Sequence, residues 1–337
     1  MQRRSGKRGG RGAGILFFGG LCYNKSEMKQ LTAQRDKEDP LDFLIESSVL
    51  MKYSGQETEV VIPEWVTVIA PYAFADSDQV TSVTFPAGLR AIGEWAFDGC
   101  DELTAIDLPA GLTTIGKVAF HSCGDLEEVV IPEGVTRIEP SAFEDCAGLR
   151  RVVLPEGLKG IGYLAFAECL NLKEITIPDG VTVIGDDAFR HCRCLEEITV
   201  PASVRELECS VFENCSALHQ VTLQGSFPKL RSSVFANCRA LREVTIPQGV
   251  NLIENSAFEG CTGLRRMVIP EGVVEIGESA FSGCTGLTEV LIPESMSDIG
   301  WGAFEGCEEL ERVEVPAECD YEEEAFPEEC YVVRRQD

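Results

Sequence analysis

Phenylalanine recurs at a fixed interval along most of this chain. It stands at Phe74, Phe97, Phe120, Phe143, Phe166, Phe189, Phe212, Phe235, Phe258, Phe281 and Phe304, always 23 residues apart, and a last step of 22 reaches Phe326. Proline keeps the same beat from Pro63 to Pro316 and misses it only at Gln224. A period of this length marks a stack of small identical units, none of which can bury its own apolar face. The 337 residues therefore need not divide into ordinary domains, because the core of such a stack grows linearly with the number of units.

One unit runs Leu264-Arg265-Arg266-Met267-Val268-Ile269-Pro270-Glu271-Gly272 and ends Ile276-Gly277-Glu278-Ser279-Ala280-Phe281-Ser282-Gly283-Cys284. In its neighbour, Val290 and Ile292 are two residues apart and point to one face of a strand. The proline, lacking an N–H, closes that strand. The second half suits one short helical or 3-10 turn, with phenylalanine as the apolar plug and alanine leaving it room. Two residues after each phenylalanine comes a column of Gly99, Ser122, Asp145, Glu168, His191, Asn214, Asn237, Gly260, Gly283 and Gly306. Most of these residue types tolerate left-handed backbone, so the column reads as a helix stop.

The pattern Leu-x-x-Val-x-Ile-Pro-x-Gly-Val-x-x-Ile-Gly-x-x-Ala-Phe-x-Gly-Cys resembles the BspA-like leucine-rich repeat family. The resemblance implies an α/β repeat solenoid: a right-handed horseshoe or superhelix with one parallel β-sheet and short helical or 3-10 turns on the opposite side. It also implies the company of bacterial and protist proteins, many of them cell-surface binders. The expected organisation is a basic, disordered tail over 1–41, a β-hairpin cap over 42–56, twelve repeats over 57–330, and a terminal edge strand and tail over 331–337. Asp42 to Glu46 and Val49 to Tyr53 would pair across Ser47-Ser48, and Arg334 and Arg335 would guard the last edge.

Charge narrows the partners. Nine of the 29 basic residues fall within 1–37, against Glu27 and Asp36, so residues 38–337 carry 20 basic and 54 acidic side chains. Such a body repels nucleic acid and anionic membranes, and no apolar run is long enough to span a bilayer. The expected partner is another protein, and a monomer is favoured. The apolar stretch Gly14 to Cys22 is short and glycine-diluted for a signal peptide and lacks a clear cleavage site; a start at Met28 is the alternative.

Ten of the fifteen cysteines sit three residues after the repeat phenylalanine, from Cys100 to Cys307. They read as a ladder of buried thiols, since no C-x-x-C pair exists and His191-Cys192-Arg193-Cys194 is the only local cluster. Adjacent free thiols favour a reducing compartment, hence the cytoplasm, with export to the cell surface as the alternative. His121, His191 and His219 lie in different coils, so no catalytic triad assembles. No catalytic, cofactor or metal residues are expected, and the chain reads as a binder rather than an enzyme.

The sheet face presents the column Val61, Thr84, Asp107, Val130, Val153 onward, β-branched and without aromatic anchors. Beside it Glu128, Arg151, Glu174 and Glu243, Arg266, Glu289, Arg312 alternate in sign, so they support one another across strands. Arg150, Arg151, Arg265 and Arg266 are the candidate partner contacts on that face, and Trp95, Tyr163 and Trp301 those on the opposite side. The competing reading is a structural spacer with no ligand. A binder should carry one patch that breaks the repeat's own statistics, and the irregular stretch Ser203 to Phe235 is ordinary repeat drift unless it supplies that patch.

Overall fold

In the computed structural model, residues 42–336 are described together with two short strands, Leu16–Phe18 and Leu21–Tyr23, which pair antiparallel. The rest of the basic 1–41 segment, including Met28, lies outside the described residues. The chain winds into about twelve coils stacked as a parallel β-solenoid. At about 4.8 Å per coil the stack is roughly 55 Å long.

Each coil contributes to two ladders, where one was expected. Sheet A is made of the Pro-terminated strands: Glu59–Val61 pairs in register with Ser82–Thr84, and Glu128–Val130 with Arg151–Val153. Its residues alternate, so Val129 and Val152 are buried while Glu128, Val130 and Arg151 face out. Sheet B is made of the Val-x-x-Ile segments, such as Val68–Ile69, Ala91–Ile92 and Thr114–Ile115, again parallel and 23 residues out of phase. The two-residue strands of sheet B are legible only once stacked, because two residues carry no periodicity of their own.

The side carrying the phenylalanines contains no helix. Among the described residues the only helical element is the 3-10 turn Glu323–Ala325, at the far end. Elsewhere two left-handed residues four apart interrupt every coil. One is the expected column, with φ from 54° at Ser122 to 71° at Gly99. The other lies two residues before each phenylalanine, as at Trp95 (φ 59°), Val118 (58°), Leu164 (54°) and Ser210 (54°). A helix would satisfy its own N–H groups; here alternate ones leave the coil. Trp95, Phe97 and Gly99 donate to the Lys117, Ala119 and His121 carbonyls of the next coil at 2.8–3.0 Å, while Asp98 and Cys100 bond back three residues. The ladder between coils offsets the cost of left-handed backbone at a valine or tryptophan, of order 1–3 kcal/mol.

Inside, the rings form one column. From Phe74 to Phe326 successive rings stack with centroids 4.6–5.7 Å apart and planes within 21°. The thiols form a second column beside them. Each of the ten ladder cysteines donates from Sγ to the phenylalanine carbonyl of the preceding coil, at 3.1–3.4 Å from Cys100–Phe74 to Cys307–Phe281. The Phe97 carbonyl thus accepts twice, from the Cys100 N–H and the Cys123 thiol. Cysteine at this position is a core hydrophobe that also fills a carbonyl's second lone pair.

The ends are closed differently. Phe43–Glu46 and Val49–Tyr53 form an antiparallel hairpin turning at Ser47 and Ser48, both with positive φ, and Val49-Leu50 pairs with the first strand of sheet B. The hairpin puts Tyr53 on Phe74, 5.0 Å between centroids. At the other end Tyr331–Arg334 pairs parallel with Arg312–Val315. Arg334 is exposed on this last strand, and both it and Arg335 are also tied to the preceding coils. Arg334 donates to the Ala317 and Cys319 carbonyls and lies 4.8 Å over the Tyr321 ring, and Arg335 reaches back to Glu294 and the Ile292 carbonyl.

The irregular stretch is a local repacking. Phe227 enters the core where other coils place Val204 or Val250. Its ring occupies the space a Cβ on Gly225 would need, 2.5 Å from the nearest ring carbon. Sheet B pairing stops at Glu206–Leu207 and resumes at Lys229–Leu230, as it also does between Thr114–Ile115 and Arg137–Ile138 in regular coils.

Candidate interaction surfaces

Sheet A pairs part of its charge across the ladder. Arg151 pairs with Glu128 directly across the ladder, and Arg266 with Glu289 at 2.6 Å. Arg150 lies 3.9 Å from Glu127, and Arg265 donates to the Gly286 carbonyl at 3.2 Å. The two arginine pairs are five coils apart, about 24 Å, so the four side chains do not form one site. Trp95, Tyr163 and Trp301 are also not together: Tyr163 (51% exposed) and Trp301 (47%) stand six coils from each other on the same outer column.

Trp95 does gather neighbours. Its ring stacks on Tyr72 at 6.0 Å with planes 9° apart, and meets His121 edge-on at 6.3 Å. His121 Nδ1 is 2.7 Å from Asp98, and that hydrogen bond raises the His121 pKa above its ordinary value against the opposing pull of burial. Burial, then the charges of Glu94 and Asp98, push Tyr72 up. The result is a stacked aromatic patch across three coils with a carboxylate–imidazole pair at its edge.

Trp65, in the same amino-terminal coils, is 60% exposed and was not singled out from the sequence. It occupies the turn between the two sheets where the following coils have Gly88, Gly111, Gly134, Gly157 and Gly180. A tryptophan in a glycine column was the available signal. Tyr72 likewise stands where Ser210, Ser233, Ser256 and Ser279 occupy later coils, at φ 60°.

The thiols show no sign of chemistry. The fourteen cysteines from Cys100 to Cys330 are free, and burial pushes several of the ladder thiols up: Cys100, Cys261 and Cys307 to about 12, Cys192 and Cys238 upward as well. A thiol held protonated is a poor nucleophile and metal ligand. In the His191–Cys194 cluster Cys192 is buried in the ladder, Cys194 is half-buried, and His191 Nε2 lies 3.6 Å from Glu168. Among the described residues no group of three or more His, Cys, Asp or Glu is placed to hold a metal, and no helix is long and apolar enough to cross a membrane.

Three comparisons bear on identity. The family model described as a BspA type leucine rich repeat region of six copies matches residues 45–172, 159–272 and 253–333. A leucine-rich repeat protein of Bacteroides ovatus is similar in structure, with TM-score 0.56 and 28% identity over 90% of this chain and 94% of that one. The pneumococcal vaccine antigen PcpA shares the fold, with TM-score 0.57 and 21% identity over 86% and 87% of the two chains. No curated protein sequence matches. With matched repeats running from the hairpin to the last coil, the chain belongs to the BspA-type leucine-rich repeat family.

Proposed function

We propose that this protein is a non-catalytic protein-binding module, and that the aromatic patch of its first coils is where a partner docks. The observations that carry the reading are the stack of Tyr72 on Trp95 and, separately in the turn before sheet B, the exposed Trp65. Tryptophan and tyrosine are the usual energetic anchors of protein interfaces. Trp65 stands in a column otherwise of glycine and serine, and Tyr72 and Trp95 in one that elsewhere holds Val118, Leu164, Asp187, serines and Gly302, so neither column asks for a large ring. Tyr72 and Trp95 also take left-handed backbone and leave much of their rings accessible, Tyr72 being 39% exposed and Trp95 half-buried. Membership of the BspA-type leucine-rich repeat family, whose fold a pneumococcal vaccine antigen shares, fits this reading.

Sheet A favours the spacer reading for its own face. Arg151–Glu128 and Arg266–Glu289 neutralise each other in register, and exposed pairs of this kind contribute only about 0–1 kcal/mol each. The discriminating experiment is affinity capture with the immobilised full chain and two variants. One carries Trp65, Tyr72 and Trp95 as Ser; the other carries Arg150, Arg151, Arg265 and Arg266 as Glu. Loss of a captured protein from the aromatic variant by about tenfold or more, with unchanged melting, is the expected result. Loss only from the arginine variant moves the site to sheet A, and capture of nothing by the parent chain leaves the spacer.

A further inference from the structure

A second surface breaks the pattern independently of the aromatic patch. At the corner where the chain passes from the thiol column into sheet A, three consecutive coils form an open groove of about 590 Å³. Arg239, Arg242 and Arg265 line it together with His219, over a floor of Ala217, Ala240 and Gly263. No carboxylate lines it, although residues 38–337 contain 54 acidic side chains against 20 basic. Some arginines elsewhere pair with carboxylates, as Arg151, Arg231 and Arg266 do, and others such as Arg137 and Arg205 stand singly; here three without an ion pair line one groove. Among the described residues Arg239, Arg242 and Arg265 form no ion pair, and Arg265 is held only by the Gly286 carbonyl. The nearby Glu289 is engaged by Arg266, and Glu197 lies 3.6 Å from His219.

We propose that this groove is a docking site for a short carboxylate-rich peptide segment of a partner protein. Guanidinium groups bind carboxylates through two parallel hydrogen bonds, and three exposed ones within a few coils can each take one. The groove crosses two coil spacings, about 10 Å, the span of roughly three residues of extended chain. Its floor is low enough for a main chain to approach. Gly263 is required there on its own account, since a Cβ would come within 2.6 Å of the Arg239 carbonyl. Nucleic acid has matching charge but a far larger charged surface, which the acidic body around the groove repels.

The test is fluorescence anisotropy of the full chain with a labelled oligoglutamate peptide, at low and physiological salt. Binding should be measurable at low salt and weaken as salt rises. The double substitution Arg239→Glu and Arg242→Glu should weaken it by about tenfold or more. Lys117→Glu, the same kind of charge change on a distant exposed coil, should alter it by less than about twofold. Glu243→Gln, which removes the carboxylate next to Arg242, should tighten it. Parallel melting curves show that each variant folds. Absence of binding at low salt, or equal loss in Lys117→Glu, overturns the proposal. Tighter binding of a single-stranded oligothymidylate assigns the groove to nucleic acid instead, and displacement of the peptide by millimolar inorganic phosphate reduces it to a small-anion site. The aromatic variant should retain oligoglutamate binding; losing it would remove the groove as the site. Failure of the aromatic patch in affinity capture leaves this result untouched.

Discussion

The coils around Phe143 and the coil around Phe227 solve the same packing problem in two ways. Around Phe143, valine or leucine fills the corner between the sheets (Val135, Leu158), and sheet B pairs from Arg137-Ile138 to Gly160-Ile161. Around Phe227 an aromatic ring fills that corner, Gly225 yields the room and Gln224 replaces the proline. Yet Phe212 and Phe235 still stack at 5.6 Å and 6°, and Cys238 still donates to the Phe212 carbonyl at 3.2 Å. The spine of rings and thiols sets the register, and the corners adapt to it.

The largest expected effect tests that ranking. Phe143→Ala should destabilise by about 3–5 kcal/mol, because the vacated space lies between Phe120 and Phe166, each stacked on Phe143 at 5.4–5.7 Å. Denaturant melts of the full chain measure it. A cost no greater than that of a corner substitution such as Leu158→Val would contradict the spine's primacy.

An intermediate effect sharpens the description of the irregular coil. Gly225→Ala should cost about 1–3 kcal/mol through overpacking, and Phe227→Val a similar amount through the space it leaves. Combined, they should cost less than the sum, because the methyl meets the ring that the second change removes. The Val204 carbonyl, 2.9 Å from the same Cβ position, should keep the rescue incomplete. Strict additivity would mean that ring and glycine are unrelated.

The smallest effect compares the two regions directly. Cys146→Ala and Cys238→Ala each remove a thiol that donates to a phenylalanine carbonyl at 3.1–3.2 Å. Both should cost about 1–2 kcal/mol. Equal costs would show one spine running through both regions; a markedly cheaper Cys238→Ala would show that the irregular coil has loosened it.

Part of the candidate surface was legible before folding and part was not. Arg265 was named from the sequence, but its neighbours Arg239 and Arg242 were not. The column His219, Arg242, Arg265 stands one place before the alternating Glu/Arg column that sheet pairing made conspicuous. Trp95 was named, and its partners were missed: Tyr72 lies one coil earlier at the same repeat position, and His121 lies one coil later at a different one.

The sequence by itself determined the coil: its length, its buried phenylalanine and cysteine columns, and the parallel register. Those follow from a repeated apolar pattern that only stacking can bury. Tertiary structure decided where each backbone N–H goes. The segment around each phenylalanine reads locally as a helical turn, but alternate donors such as Trp95 and Phe97 find carbonyls in the next coil, so it becomes a third ladder with two left-handed residues per coil. Local propensity carries no information about a carbonyl 22 residues away, and that carbonyl supplies the hydrogen bond that makes the left-handed backbone affordable.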